Sequence, residues 1–297
     1  MAILITGGSG QVGFELQREF SLFGPILAPT RYELDLTNAH AVDAYLNEHR
    51  PELILNAAAY TAVDKAESEP ALAKCLNAKL PKQLAGYAAK HDIPLVHYST
   101  DYVYPGDGVI PWREDSSTAP LSVYGQTKLE GDQAVSQSGA SCLIFRTSWV
   151  YAARGNNFMK TMLRLGCERE GLSIVNDQVG APTPARLIAQ ITRLALITHH
   201  SPPVIGIPTG IYHLSPQGET SWHGFACEIF EHALLLGKKL AIKSERVASI
   251  ATAAYPTPAQ RPLNSRMALG KLEAALGITM PTWQSQLSLT LKELYEK

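Results

Sequence analysis

Three features of the sequence predict an α/β protein with a doubly wound parallel sheet. Short apolar runs alternate with longer stretches of helical period through the first two-thirds of the 297 residues. A glycine-rich turn follows the first of these runs. After Arg146 the alternation becomes less regular, which indicates a smaller C-terminal lobe over the carboxyl edge of the sheet. Alternating strands and helices form βαβ units, whose parallel sheets carry helices on both faces.

Five apolar runs predict the strands of this sheet. They are Ala2–Thr6, Ile26–Ala28, Leu53–Asn56, Leu95–Tyr98 and Cys142–Phe145. A helix is expected to begin near Gln11, directly after the glycine turn. Because parallel strands share one carboxyl edge, residues that follow these runs are expected to meet there.

The last third of the chain predicts more helices and fewer strands. We expect helices at about 156–170, Pro184–Thr198, Trp222–Leu236, Met267–Leu276 and Trp283–Tyr295, a strand at 172–177, a loop running into a strand at 199–214, and an extended connection at 255–264. The predicted domains are residues 1–145 with about 177–200, which form the sheet domain, and residues 146–176 with 201–297, which form a smaller substrate-binding lobe.

Bulk composition favours a compact small-molecule site over a polymer-binding surface. The formal net charge is -1, from 26 basic and 27 acidic residues in no long block of one sign. Neither a nucleic-acid footprint nor a polybasic membrane anchor is therefore expected. No window approaches the roughly 18 apolar residues of a membrane span, and the first residues indicate a buried strand and not a secretory leader. The four scattered cysteines argue against a disulfide framework, so a cytoplasmic location is expected.

The turn "ILITGGSGQVGFELQ" predicts a dinucleotide site. Gly7 would permit the tight turn, Gly10 would let backbone N–H groups approach a pyrophosphate, and Gly13 would let helix and strand pack closely. Gln11 and Val12 are further expected cofactor contacts. A purely structural turn is the alternative, but the position between an N-terminal strand and a helix favours a Rossmann-type cofactor domain.

The end of the second strand predicts how the adenosine half is held. Arg31 would accept a 2′-phosphate, whereas Glu33 would bind ribose hydroxyls, so NADPH is expected and NADH is the alternative. Asp35 and Leu36 are expected near the adenine, with a turn or helix-capping acid as the alternative for Asp35. The remaining expected cofactor contacts follow the third strand: Ala57, Ala58 and Ala59.

A hydroxyl, a phenol and an ammonium group are predicted to meet at the sheet edge. Thr100 follows the fourth strand, and "VYGQTKLEGD" places Tyr124 and Lys128 four residues apart, on one face of a helix. For an isolated pair, a tyrosine packed on a lysine stem is the simpler interpretation. Beside a nucleotide-binding sheet, the three groups suit general-acid reduction of a carbonyl.

Six segments, in order, resemble the dTDP-4-dehydrorhamnose reductase family of the extended short-chain dehydrogenase/reductase superfamily. They are "NAAAYTAVDKAESEP", "STDYVYPG", "YGQTKLEGD", "RTSWVYAARGNNF", "VNDQVGAPTPA" and "RPLNSRM". The resemblance implies reduction of the C4 ketone of dTDP-4-dehydro-L-rhamnose by NADPH or NADH. In that reaction Tyr124 would protonate the carbonyl oxygen, Thr100 would stabilise its charge, and Lys128 would bind the nicotinamide ribose and lower the phenol pKa from about 10.

The resemblance also implies a substrate pocket. Its expected contacts are Thr61, Val63, Asp101, Tyr102 and Trp149, in addition to Thr100. A buried packing role is the alternative for Trp149. The guanidinium groups of Arg146 and Arg261 are candidates for the substrate diphosphate, with ordinary ion pairs as the alternative.

Metal binding is not predicted. His97, His213 and the His199–His200 pair lack metal-ligand spacing, so packed or solvated side chains are expected. Some members of the family dimerise through glutamates that hold a divalent cation such as Mg²⁺, and Glu15 and Glu293 would match two of them. The third metal-binding glutamate of those family members is not identifiable in this sequence. The resemblance nevertheless favours a homodimer.

A sugar-nucleotide dehydratase is disfavoured, because such enzymes resemble this chain but carry Thr-Asp-Glu where the sequence has Thr100-Asp101-Tyr102. Two other functions stay open. A non-catalytic subunit similar to the β subunit of methionine adenosyltransferase is one alternative. The other is a reductase of a stereoisomeric 4-keto-6-deoxy sugar nucleotide.

Overall fold

The computed structural model describes residues 1–197 and 203–295. Its fourteen described strands, in chain order, are β1 (Ile3–Thr6), β2 (Ile26–Leu27), β3 (Leu53–Asn56), β4 (Leu95–Thr100), β5 (Cys142–Thr147), β6 (Val150–Tyr151), β7 (Leu172–Val175), β8 (Val179–Gly180), β9 (Thr183–Pro184), β10 (Leu196–Ile197), β11 (Val204–Ile205), β12 (Gly210–His213), β13 (Thr220–Ser221) and β14 (Val247–Ile250). Six of them form one parallel sheet in the order β12-β5-β4-β3-β1-β2. The predicted α/β fold class is confirmed.

The helices cover both faces of this sheet. They are α1 (Gln11–Phe20), α2 (Ala39–His49), α3 (Val63–Ala66), α4 (Pro70–Lys74), α5 (Leu80–His91), α6 (Val123–Ser136), α7 (Phe158–Glu168), α8 (Ala185–Leu194), α9 (Trp222–Leu235), α10 (Gly270–Leu276) and α11 (Trp283–Tyr295), with a π-helical turn at Cys75–Lys79. Across the described residues, every helix is too short or too polar to span a lipid bilayer.

Alternating burial on the strands divides the sheet core in two. Ile3 and Ile5 of β1 pack with α1, α8 and α10, whereas Leu4 packs on the opposite face with α2, α5 and α6. A third cluster, built on α7, α9 and α11, holds a separate small lobe together. The site described below lies where the strands of the large sheet end.

Three of the differences between the structure and the predicted elements have a clear cause in strand pairing or bridging. Strand β4 extends to Thr100, two residues beyond the predicted end, because Ser99 and Thr100 still pair with β5. Helix α8 ends at Leu194, since Leu196–Ile197 pairs with β11; Thr198 and the His199–His200 pair lie outside the described residues. Helix α10 begins at Gly270 because Met267 bridges to Trp112.

The predicted domain division stays a prediction, but one strand that it assigns to the smaller lobe lies in the large sheet. Residues 201–297 are predicted to belong wholly to the smaller lobe, whereas Gly210–His213 forms the outermost strand of the large sheet beside β5. Leu272 and Met280 pack in the core of that sheet as well. A short, partly polar strand of this kind lacks the apolar run that marks β3 and β4 in the sequence.

Candidate active site

The glycine turn between β1 and α1 forms a cradle with no room for side chains. Gly7 has φ +69°, and a Cβ there would lie 2.8 Å from backbone atoms of Ala57 and Ala58. A Cβ on Gly13 would lie 2.2 Å from the carbonyl oxygen of Gly7. Helix α1 starts after Gly10 without a side-chain cap, so its first N–H groups are available to a ligand. These features fit the pyrophosphate of a dinucleotide.

The side chains after β2 favour Arg31 over Glu33 as the predicted contact with the adenosine half of the cofactor. The Glu33 carboxylate accepts a 2.7 Å hydrogen bond from the backbone N–H of Thr30, and this bond lowers the pKa of Glu33. Arg31 is exposed and forms no salt bridge with the described residues. Asp35 accepts two hydrogen bonds from Thr37, which lower its pKa; the turn interpretation therefore describes its contacts in this structure.

Thr100 and Tyr124 meet at the carboxyl end of β4. The Thr100 hydroxyl donates a 3.1 Å hydrogen bond to Asp101 and accepts one of 3.2 Å from the Tyr102 N–H. The rings of Tyr102 and Tyr124 lie edge to face, 5.5 Å apart. Helix α6 can come this close because Gly125 has no Cβ; one would lie 2.3 Å from the Tyr102 carbonyl oxygen.

The pKa of Tyr124 is raised, in contrast to the lowering that the sequence predicts. Burial is the main cause, and the charges of Asp101 and Asp132 act in the same direction, whereas the hydrogen bond with Thr100 opposes them. Lys128 is not among the groups that shift it, because its ammonium turns toward β4. The phenol is consequently held in its protonated form, which a proton donor requires.

Lys128 is buried beneath the site. Its ammonium donates a 2.6 Å hydrogen bond to the Tyr98 carbonyl oxygen and lies 3.4 Å from Nε2 of His97. Burial lowers its pKa to about 8, while the negative charge of Asp132 opposes the shift. His97 is fully buried and lies 3.0 Å from the Asn56 amide; burial and the charge of Lys128 lower its pKa.

Arg146 is buried, and of its two predicted roles the ion pair is the one that the structure contains. Its guanidinium is buried, donating 3.0 Å and 2.8 Å hydrogen bonds to Asp132 and to the Tyr104 hydroxyl. That hydroxyl lies 2.6 Å from Nε2 of His213, which is also buried. Arg146 thus forms the ion pair that was its alternative role, and His97 and His213 are packed side chains, as expected.

Asp101 is a buried carboxyl group beside the catalytic candidates. Only 2% of it is exposed, and its Oδ2 atom has no hydrogen-bond partner among the described residues. Burial raises its pKa to about 6, whereas the nearby hydroxyl groups of Ser265 and Thr100 oppose the rise. Ser265 lies in the "RPLNSRM" segment, and sequence reasoning did not single it out.

Trp149 is held in an unusual backbone conformation next to the same serine. It has φ +48°, and its ring stacks on Trp222 at 3.8 Å between centroids. A Cβ on Gly180 would lie 2.9 Å from the Cβ of Ser265 and 3.3 Å from the Trp149 ring. Gly180 therefore packs between Ser265 and the Trp149 ring. Trp222 was missed because it begins α9, 73 residues from its partner along the chain.

Thr61 lies in the loop before α3 and Val63 begins that helix; two distant segments hold this stretch of chain. The Asp64 carboxylate forms a two-pronged ion pair with Arg261, at 3.1 Å and 2.8 Å. On the other side, Asn77 of the π-helical turn bonds both the N–H and the carbonyl oxygen of Tyr60. Asn77 was also missed, because nothing in "CLNAK" distinguishes it from an ordinary helix residue.

Glu15 and Glu293 come together, but around a guanidinium. Arg186 donates to Glu15 at 3.2 Å and to Glu293 at 2.6 Å, and Arg18 lies 3.3 Å from Glu293. Two carboxylates already paired with arginines do not fit a divalent cation. Within the described ranges, no three His, Cys, Asp or Glu side chains are grouped to hold a metal ion.

Comparison with known proteins agrees with this geometry. The family model of the RmlD substrate binding domain matches residues 1–296. The chain is 46% identical to the dTDP-4-dehydrorhamnose reductase of Shigella flexneri, over 99% of this chain and 98% of that one. It is similar to the crystal structures of such reductases from Clostridium acetobutylicum (TM-score 0.89, 36% identity, 99% of each chain) and from Bacillus anthracis in complex with NADP (TM-score 0.87, 36% identity, 98% and 99% of the chains).

Proposed function

The chain belongs to the dTDP-4-dehydrorhamnose reductases, and we propose that it reduces the C4 ketone of dTDP-4-dehydro-β-L-rhamnose to give dTDP-L-rhamnose. One observation carries this proposal. The Thr100 hydroxyl and the Tyr124 phenol lie at the carboxyl edge of the sheet whose first strand leads into the glycine turn. Ligands of open α/β sheets bind at this edge, so a carbonyl held there would face both groups.

Each of the three catalytic candidates has a chemical role in this proposal. Bound NADPH supplies the hydride that adds to C4. Tyr124 donates its proton to the carbonyl oxygen, and the Thr100 hydroxyl, which can rotate away from Asp101, stabilises the charge on that oxygen. Lys128 donates one ammonium proton to the Tyr98 carbonyl oxygen, and its remaining protons would bind the ribose hydroxyls of the cofactor.

NADPH is the proposed cofactor, with NADH as the weaker alternative. Glu33 is already bound to the Thr30 N–H, whereas Arg31 forms no salt bridge with the described residues and can accept the 2′-phosphate. Gly7, Gly10, Gln11, Val12 and Gly13 would hold the pyrophosphate, and the remaining proposed contacts are Asp35, Leu36, Ala57, Ala58 and Ala59.

The sugar would lie between the Tyr102–Tyr124 ring pair and Trp149. Ser265 lies near Asp101, and Gly180 packs between Ser265 and the Trp149 ring, which supports contacts of Asp101 and Trp149 with one ligand. Thr61 and Val63 would border the pocket from the loop that Asp64 and Arg261 hold. Arg261 lies near Tyr102, and its guanidinium is the proposed contact of the substrate diphosphate.

We further propose that the enzyme is a cytoplasmic homodimer. All four cysteines are free thiols, which suits a reducing compartment. Arg186 of α8 pairs with Glu15 of α1 and Glu293 of α11, and Leu22 after α1, Leu194 on α8 and Leu289 on α11 are exposed; apolar side chains of this kind would suit contact with a second copy. Sedimentation as a monomer at micromolar concentration would contradict the dimer.

The decisive experiment is a direct assay. The purified chain is mixed with NADPH and freshly generated dTDP-4-dehydrorhamnose, and the absorbance of the reduced nicotinamide is followed. Oxidation should exceed the substrate-free control and should be lost in Tyr124→Phe. No oxidation would favour the non-catalytic subunit instead. NMR of the product would separate rhamnose from a stereoisomeric sugar.

A further inference from the structure

The loop of residues 152–157, between β6 and α7, lies across the first turn of α1. The Asn157 amide donates hydrogen bonds of 2.8 Å to Oε1 of Gln11 and 2.7 Å to the Ala152 carbonyl oxygen. Gly155 has φ +74°, and a Cβ there would lie 3.3 Å from Cγ of Gln11. The loop is therefore fixed against the residue that begins the cofactor helix.

Arg154 extends from this loop over the same helix. Its guanidinium lies 3.9 Å from the centroid of the Phe14 ring, and Phe14 is three residues after Gln11, on the same face of α1. Arg154 is exposed and forms no salt bridge with the described residues. A guanidinium stacked on a ring keeps the N–H groups of its own plane free for another partner.

We propose that Arg154 binds the pyrophosphate of the dinucleotide, with Asn157 and Gln11 holding its loop in place. The proposal rests on the proposed function, because NADPH is the ligand. The first turn of α1 offers backbone N–H groups to an anion and has no side-chain cap. A guanidinium over that turn adds charge and a planar pair of donors, which match phosphate oxygens.

Arg154 and Arg31 are assigned to different phosphates. Arg31 follows β2, whereas Arg154 lies over the helix that follows β1, so the two arginines lie at neighbouring strands. In this fold the adenosine 2′-phosphate binds at the end of β2, and the pyrophosphate binds at the start of α1. NADPH and NADH share the pyrophosphate and differ only in the 2′-phosphate, so comparing them separates the two roles.

The test measures Kd for NADPH and for NADH by nicotinamide fluorescence, without substrate. Arg154→Ala should weaken both nucleotides by the same factor, about tenfold, as expected for one charge-assisted contact. Arg31→Ala should weaken NADPH alone. The control is Arg164→Ala, an exposed arginine of α7 paired with Glu168, which should change neither Kd. Arg154→Lys should lose part of the affinity, because the charge remains and the planar fork does not.

Three outcomes would overturn the assignment. Unchanged Kd values in Arg154→Ala would remove the contact, and a loss confined to NADPH would move Arg154 to the 2′-phosphate. Weaker binding of dTDP, measured by calorimetry, with unchanged nucleotide binding would assign Arg154 to the sugar nucleotide. A wild-type chain that binds neither NADPH nor NADH would instead contradict the proposed function. Matching circular dichroism and melting temperatures would show that each variant is folded.

Discussion

The Lys128 ammonium donates a 2.6 Å hydrogen bond to the carbonyl oxygen of Tyr98, on the strand beside its helix. The bond places a charged group at the centre of the fold, where only 1% of the side chain is exposed. Burial lowers the pKa to about 8, so the ammonium begins to lose its proton in mildly alkaline solution. The charge that the proposed mechanism requires therefore depends on pH.

The first prediction concerns the fall in activity at alkaline pH, which is the alkaline limb of the pH–rate profile. kcat/KM should fall as the pH rises through about 8, because Lys128 then loses its charge and one of its proton donors to the nicotinamide ribose. Asp132 raises the pKa of Lys128, so Asp132→Asn should move the limb to lower pH by about one unit. Glu130→Gln is the control, because that carboxylate is on the same helix but pairs with Lys74 at the surface. An unshifted limb in folded Asp132→Asn would contradict the coupling.

The second prediction concerns the proton donor. Tyr124→Phe removes only a hydroxyl, so the fold and Kd for NADPH should stay close to wild type while kcat falls by roughly 10² to 10⁴. Thr100→Val should lower kcat by about 10 to 10³, as expected for the loss of one donor to the developing oxyanion. Turnover by Tyr124→Phe at the wild-type rate would remove Tyr124 from its proposed role.

How much of this site is visible in the sequence depends on how local its determinants are. The apolar runs of β1 and β3, the glycine turn and the four-residue spacing of Tyr124 and Lys128 are local patterns, and the structure contains all of them. The direction of the Lys128 side chain is not local, since Tyr98 lies 30 residues away. Spacing placed the ammonium beside the phenol, whereas tertiary contacts turn it toward β4.

Long-range contacts also explain the residues that sequence reasoning missed or misjudged. Asn77 binds the loop at Tyr60 and also Thr127, 50 residues away on α6. Arg146 directly follows the apolar run of β5, a position where a ligand-binding arginine is expected. In the structure, however, Asp132 and Tyr104 bind its guanidinium. No composition or period near these residues reports such partners, because they are set by the packing of whole elements.

The third prediction concerns stability. The pKa of Asp101 is raised from 3.8 to about 6, so the folded protein binds this proton more tightly than the unfolded chain does. The folded state therefore loses stability as the pH rises from about 4 to 6, by at most about 3 kcal/mol, and the loss persists above that range.

Asp101→Asn removes the charge and keeps the shape, so its melting temperature should exceed that of the wild type at about pH 7.5. The gain should largely disappear near pH 4, where the wild-type carboxyl group is protonated in the folded state and only partly ionised in the unfolded chain. Thermal unfolding of both proteins at the two pH values provides the measurement. An equal difference at both would show that the charge of Asp101 is not the cause.

The last prediction concerns the ion pair that joins the two sides of the proposed substrate pocket. Asp64 lies in the first turn of α3, and its carboxylate accepts hydrogen bonds from Arg261 and from the N–H of Ala259, which is 195 residues further along the chain. Breaking this contact would release the loop that carries Thr61 and Val63 from the connection at 255–264. The loop would then have to be ordered again each time the substrate binds.

Asp64→Asn should therefore raise KM for the sugar nucleotide, by about 5- to 20-fold, with little change in Kd for NADPH, because the glycine turn does not depend on this pair. Glu219→Gln is a matched control, since it breaks a similar ion pair with Arg266. Steady-state kinetics and nicotinamide fluorescence give the two quantities. If Asp64→Asn weakened the cofactor and the sugar nucleotide equally, the pair would stabilise the whole cleft and not the substrate side alone.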